Sequence, residues 1–188
     1  MTRSGAAVDI RDAVEDDLPE MLAIYNDIVA TSTAIYRDEP MPLAEYQAWF
    51  RARIAQGYPV LLAVDGATVL GYASFADFRP WPGYRFTVEH SVHVRADQRG
   101  RGIGSRLVRT LIDRAAARGK HIMIAGVDAD NAASLRFHAR LGFERVAHFR
   151  EVGFKFGRWL DLVFLQRTLG RRSTSATNTT TEHHTSAS

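Results

Sequence analysis

The stretch Gln98-Arg99-Gly100-Arg101-Gly102-Ile103-Gly104 decides how the rest of the chain is read. Before it, Val88, His90, Val92 and Val94 alternate with Glu89, Ser91 and His93, which is the period of a strand. After it, Ile103, Leu107, Val108, Leu111, Ile112 and Ala115 recur at helical spacing as far as Gly119. The glycines therefore sit at a strand-to-helix junction. A helix start leaves backbone N–H groups unpaired, and the helix dipole adds to their pull on an anion. Glycine lets the main chain curl closely around such an anion. A phosphate-bearing ligand is the expectation. No Gly-Lys-Ser/Thr ending completes a Walker loop. A dinucleotide fingerprint read from Gly102 fails as well, because Leu107 stands where its third glycine belongs. What remains is Arg99-x-x-Gly102-x-Gly104.

The chain has 188 residues, 46% hydrophobic and 24% charged, which suits one globular domain with one sizeable core. We assign residues 1–170 to that domain. Residues 171–188 are Ser/Thr-rich without a large apolar side chain, so they read as a disordered tail, and His183-His184 within it as an unstructured pair. The net charge of +3 does not argue for a nucleic-acid partner. Arg95, Arg99, Arg101, Arg106 and Arg109 nevertheless gather at the glycine loop, facing either a phosphate or solvent. The absence of cysteine excludes disulfides, thiolate zinc sites and a cysteine nucleophile. No metal is expected. No apolar run approaches the ~20 residues of a membrane span, and the acidic N-terminal segment does not read as a secretion signal, so a cytoplasmic location is expected.

Strand character is predicted over residues 8–13, 60–64, 69–75, 87–94, 122–127, 152–156 and 160–169. Helices are expected after Asp16 or Asp17 as a cap, after Pro42 as far as Gly57, from near Gly104, and from Asp130 or Asn131 to Gly142. Asp65-Gly66 marks a hairpin. The order β-α-α-β-β-β-α-β-α-β-β gives an α/β (α+β) fold. Residues 78–86 form a connection unusually rich in aromatics.

Several side chains could carry chemistry. Glu89 can take a proton from an ammonium group in a half-buried cleft, or it can simply pair with a surface cation. Asn131 and His138 are seven residues apart, hence on one helix face. Asn131 can cap the helix or bind a ligand amide. His138 can move a proton near neutral pH or sit hydrogen-bonded in the core. His90 and His121 are weaker candidates among apolar neighbours. Arg79, Pro80, Trp81, Tyr84 and Arg85, with Tyr36, could hold a carboxylate and wall a small pocket, or merely pack over the sheet. Residues 155–159, Lys-Phe-Gly-Arg-Trp, form a second basic-aromatic cluster.

Taken together, these segments resemble the GNAT superfamily of N-acetyltransferases, in particular its phosphinothricin and methionine sulfone/sulfoximine branch. The likeness spans about residues 9–169. It rests on Gly71-Tyr72-Ala73-Ser74-Phe75, Thr87-Val88-Glu89-His90-Ser91-Val92, the glycine loop, Asn131-Ala132-Ala133-Ser134 with His138, and residues 152–159. The resemblance implies a mixed, mostly antiparallel sheet with helices on both faces. It also implies acetyl-CoA as co-substrate, a small amino-acid-like amine as acceptor, and a homodimer. Carried over residue by residue, Glu89 is the general base and His138 assists proton transfer. Val92, His93 and Val94 hold the pantetheine arm through their main chain, and Asn131 binds on the same side. Arg99, Gly100, Arg101, Gly102, Ile103, Gly104 and Ser105 take the pyrophosphate. Tyr36, Arg79, Pro80, Trp81 and Glu89 meet the amine substrate. The chain departs from the family at His93, where tyrosine is usual, and at Phe78, where tryptophan is usual.

Overall fold

Residues 8–170 are described by the computed structural model; the expected tail and its two histidines lie outside them. The strands are β1 (Asp9–Asp12), β2 (Val60–Asp65), β3 (Thr68–Asp77), β4 (Thr87–Val94), β5 (Ile122–Asp128), β6 (Glu144–Lys155) and β7 (Arg158–Thr168). The helices are α1 (Leu18–Thr31), α2 (Leu43–Ala55), α3 (Ile103–Ala117) and α4 (Ala132–Arg140). One sheet runs in the order β1-β2-β3-β4-β5-β7-β6, antiparallel throughout except where β4 meets β5. This is the α+β sandwich that the element order implied.

Alternation divides the core in two. Val88, Ala73, Phe75, Met123, Ala125 and Val163 turn one sheet face to Leu107 and Leu111 of α3. Both leucines are fully buried, and each contributes about 1.5–3 kcal/mol by leaving water. Val60, Leu62, Val64 and Tyr72 turn the other face to α1 and α2, against Leu18, Met21, Ile28, Tyr46 and Phe50.

Two expectations need correction. Asp17 does not cap α1 with its side chain; its carboxylate turns back to the Val14 N–H at 2.8 Å and to Arg11 at 2.6 Å. β6 begins at Glu144, eight residues before the expected Val152. Its register slips between Arg145 and Ala147 and again between Phe149 and Gly153. Bulges break the two-residue period on which the sequence reading depends.

Candidate active site

β4 and β5 are paired only at Thr87, Val88 and Glu89 against Ile122, Met123 and Ile124. β4 continues on β3 as far as Val94, while β5 continues on β7 as far as Asp128. The central ladder thus opens just beyond Glu89. The direction of the freed backbone follows from the period of two. Thr87 O accepts from Phe78 N, and Arg95 N donates to Leu70 O, so odd-numbered positions of β4 face β3. His90, Val92 and Val94 therefore turn their main-chain N–H and C=O groups toward the opening. The Arg99 side chain reaches Val94 O from that side at 3.4 Å. This narrows the expectation for residues 92–94. The His93 main chain faces β3, and its ring packs at 4.9 Å from Tyr72 and 6.0 Å from Tyr25.

The glycine loop closes one end of the opening. Gly100 and Gly102 both have φ of +78°, a left-handed conformation that glycine adopts without steric cost. Gly102 is the N-cap of α3 and no side chain caps the helix. The Arg106 N–H bonds back to Gly102 O, so the N–H groups of Ile103, Gly104 and Ser105 have no partner inside the helix. A Cβ on Gly104 would stand 3.4 Å from the Phe137 ring and 3.6 Å from Val94, so α3 and α4 converge there with β4. Asn131 caps α4, its Oδ1 accepting from Ser134 N at 3.0 Å. Of the arginine cluster, Arg95 is paired with Asp97 and Arg101 with Gln98; Arg106 and Arg109 are exposed.

Glu89 lies at the apex of the opening, half-buried. Burial raises its carboxyl pKa, and nearby Arg79 opposes the rise. A Cβ on Gly126 would stand 3.2 Å from both Glu89 Oε1 and the Phe164 ring, so glycine there makes room for the carboxylate. Phe164 is 6.0 Å from Phe78 and 5.5 Å from Phe149. Arg79 stacks over Phe78 at 4.1 Å and bonds Phe78 O at 2.8 Å. These groups bring an aromatic wall and a cation to the Glu89 side. Pro80 and Trp81 stand further out, Trp81 being 69% exposed.

His138 is on the other face. It is 4% exposed, and its ring lies 5.2 Å from His90 and 5.4 Å from Phe143. Because a carbonyl only accepts, the 2.8 Å contact with Ser134 O makes Nδ1 the donor. Nε2 then carries the lone pair, and it has no protein partner among the described residues. Burial lowers the His138 pKa, so the ring is neutral at pH 7. Neighbouring strand positions point to opposite faces, so Glu89 and His138 do not share one cavity wall.

His90 sets an acid-side prediction. Burial, with His138 close by, holds its pKa at about 3 against an ordinary 6.5. The unfolded chain takes up a proton that the folded chain refuses. The resulting stability is fully present above about pH 6.5 and is lost as pH falls toward 3, at ~1.4 kcal/mol per unit. Urea unfolding of wild type and His90→Leu between about pH 7 and pH 4 should show a shallower loss in the variant. Parallel pH slopes would reject this account.

Sequence reasoning missed Gly126 and Phe164. A lone glycine in an otherwise apolar strand is the signal that could have found the first, since it marks close approach of another group. It also missed that Thr33 Oγ1 bonds Asp128, tying the segment after α1 to the end of β5. Residues 155–159 are not uniformly surface groups. Lys155 is 1% exposed and turned inward, and Arg158 pairs with Asp130, while Trp159 is 61% exposed.

A family model described as Acetyltransferase (GNAT) family matches residues 21–143. The chain belongs to the GNAT acetyltransferases. This GNAT chain is 57% identical over 161 residues to a methionine sulfoximine/methionine sulfone acetyltransferase of Pseudomonas paraeruginosa, covering 85% of this chain and 94% of the relative. It is 40% identical over 170 residues to a phosphinothricin N-acetyltransferase of Alcaligenes faecalis, covering 90% and 86%. Its fold matches a putative acetyltransferase of Salmonella typhimurium, solved with its cofactor acetyl-CoA. The TM-score is 0.86 at 44% identity, over 89% of this chain and 96% of the other. N-acetyl transfer is the activity of this GNAT enzyme, and its sheet and helices are those of the family.

Proposed function

We propose that the enzyme moves an acetyl group from acetyl-CoA to the α-amine of a small amino acid or analogue, by direct attack within a ternary complex. The observation that carries this reading is a ladder opening with a half-buried carboxylate at its apex. The residues present fit acetyl-CoA. Open main-chain positions at Val92 and Val94 suit the amides of a pantetheine arm, and we assign Asn131, at the cap of α4, to the same ligand. Unpaired N–H groups at residues 103–105, behind two left-handed glycines, suit a pyrophosphate. When bound, acetyl-CoA supplies a thioester open to attack by an amine.

The chain's own residues do the rest. Glu89 takes the proton of the incoming ammonium, directly or through water, and its burial-raised pKa strengthens it as a base. A backbone N–H on the open β4 edge polarises the thioester carbonyl. His138 Nε2, as a neutral acceptor, serves proton movement from the opposite face. Arg79 holds the substrate's anionic or polar end; Phe78, Phe164 and Tyr36 wall it. An acyl-enzyme is not part of this scheme, because the chain has no cysteine and its sequence suggests no Ser-His-Asp arrangement.

The substrates best suited are methionine sulfone, methionine sulfoximine and phosphinothricin, each with an α-amine, a carboxylate and a tetrahedral polar side chain. Relatives named for these compounds support the choice. The test is free-thiol release from acetyl-CoA with these three, against spermidine and an aminoglycoside. A higher kcat/KM for either control than for all three analogues would overturn the substrate assignment. Binding of acetyl-CoA with no thiol release for any amine would make the protein a binding module instead.

A homodimer belongs to the same proposal. The β6–β7 hairpin exposes Val146, Phe149, Val152, Phe154, Phe156 and Trp159, a run of apolar surface suited to a second copy. Light scattering at micromolar concentration should give twice the chain mass; a monomer would count against it.

A further inference from the structure

Lys155 is the one lysine in the buried core, and its surroundings are unusual for a cation. Nζ donates to Val29 O at 2.6 Å, Ser32 O at 2.8 Å and Ile35 O at 2.8 Å. All three ammonium hydrogens thus go to main-chain carbonyls; among the described residues no carboxylate is hydrogen-bonded to it, and Asp38 acts on it only through space. Val29 and Ser32 belong to the C-terminal end of α1, where the helix dipole is negative and favours a cation. Burial pushes the Lys155 pKa down and Asp38 opposes the fall, while the three carbonyls hydrogen-bond the charged form.

The third carbonyl places this cluster next to the proposed acceptor site. Ile35 precedes Tyr36. The Tyr36 ring lies against Gly153, where a Cβ would stand 2.4 Å from it, and its hydroxyl donates to Asp161 O at 3.2 Å. Gly153 and Lys155 are two residues apart on β6 and so share a face. The glycine makes room for the tyrosine while the lysine gathers the turn that carries it. Val152 and Phe154 are exposed, and Phe156, in the turn that follows, brings its ring to 4.8 Å from Lys155 Nζ. Along β7, Asp161 is three residues from Phe164, roughly 10 Å at strand rise, and Phe164 stands at Glu89. Tyr36 is thereby anchored to β7 three residues along the strand from Phe164.

We propose that Lys155 is a positioning residue for the amine substrate: by tying the carbonyls of Val29, Ser32 and Ile35 together, it holds Tyr36 in place as a wall of the acceptor pocket. The kinetic part rests on the acetyltransferase reading above; the positioning part does not.

Hydrogen exchange separates the two. In Lys155→Gln, which keeps a donor but loses the charge, amides of residues 33–37 should exchange much faster than in wild type, while α3 stays protected. Kinetics with methionine sulfone should show KM raised on the order of tenfold, since small misplacements of a binding wall are costly. Acetyl-CoA affinity should stay within about twofold of wild type in the same variant. Gly153→Ala, which displaces Tyr36 without touching Lys155, should give the same split. Combining Lys155→Gln with Tyr36→Ala should add little to the KM of Tyr36→Ala alone, because both remove one wall. Unchanged exchange at residues 33–37 would overturn the positioning. Additive effects on KM, or an acetyl-CoA affinity that falls in step with the amine's, would overturn the link to the substrate. If wild type turns over none of the amino-acid analogues, the proposed substrate class fails, and the exchange result still decides the role of Lys155.

Discussion

Glu89→Gln is expected to lower kcat about 100- to 10,000-fold, the usual contribution of a general base. Glutamine has nearly the same shape, so it fits the space beside Gly126 and Phe164, and the fold and acetyl-CoA affinity should be retained. What disappears is the basic carboxylate: the amide oxygen still accepts a hydrogen bond but cannot take the ammonium proton. The pH profile separates this from a packing effect. The wild-type rate should fall on the acid side, through a pKa lifted above the ordinary carboxylate value of 4.5 by burial. The variant should lose that limb. Equal rates for both proteins from about pH 6 to pH 9 would remove Glu89 from the reaction. His138→Ala should slow turnover through the other face. Its buried, neutral ring touches His90 and Phe143, so stability must be measured beside rate.

The second large effect is expected at Gly102. A β-branched residue at φ of +78° is strongly disfavoured. In Gly102→Val the free loop will relax out of the left-handed region, and binding must restore it. Strain of this kind costs about 1–3 kcal/mol, or roughly tenfold to a hundredfold in affinity. Calorimetry with acetyl-CoA should show that loss, with Gly102→Ala intermediate. Gly104→Val tests a different cause, because its added methyls meet the Phe137 ring rather than a strained backbone. Wild-type affinity in either folded valine variant would place the pyrophosphate elsewhere.

Much of this architecture was legible in the sequence because strands and helices carry different periods. Residues 88–94 and the helix after Gly102 show this most clearly. The start of β6 was not legible, since its two register slips interrupt the alternation and its outward face carries apolar and charged residues alike. The opening between β4 and β5 was also hidden. Nothing in either strand's composition records where pairing stops, because divergence is a property of two strands and of what packs on them. Glu89 and His138 were both candidates in the sequence, but their separation onto two faces required knowing which face α4 covers. Lys155 was legible only as part of a basic-aromatic cluster, because hydrogen bonds from a lysine to main-chain carbonyls leave no signature in side-chain identity.

The two ends of the opening are built from different materials, and that bears on how such a protein can diverge. The proposed donor end is main chain: the edge at His90, Val92 and Val94 and the first turn of α3. Most side-chain replacements leave these groups where they are, so drift barely touches them. The proposed acceptor end is side chain, in Tyr36, Phe78, Arg79 and Phe164, and each codon there can be changed singly. A lineage can therefore exchange one amine for another without having to reinvent how the acetyl donor is held.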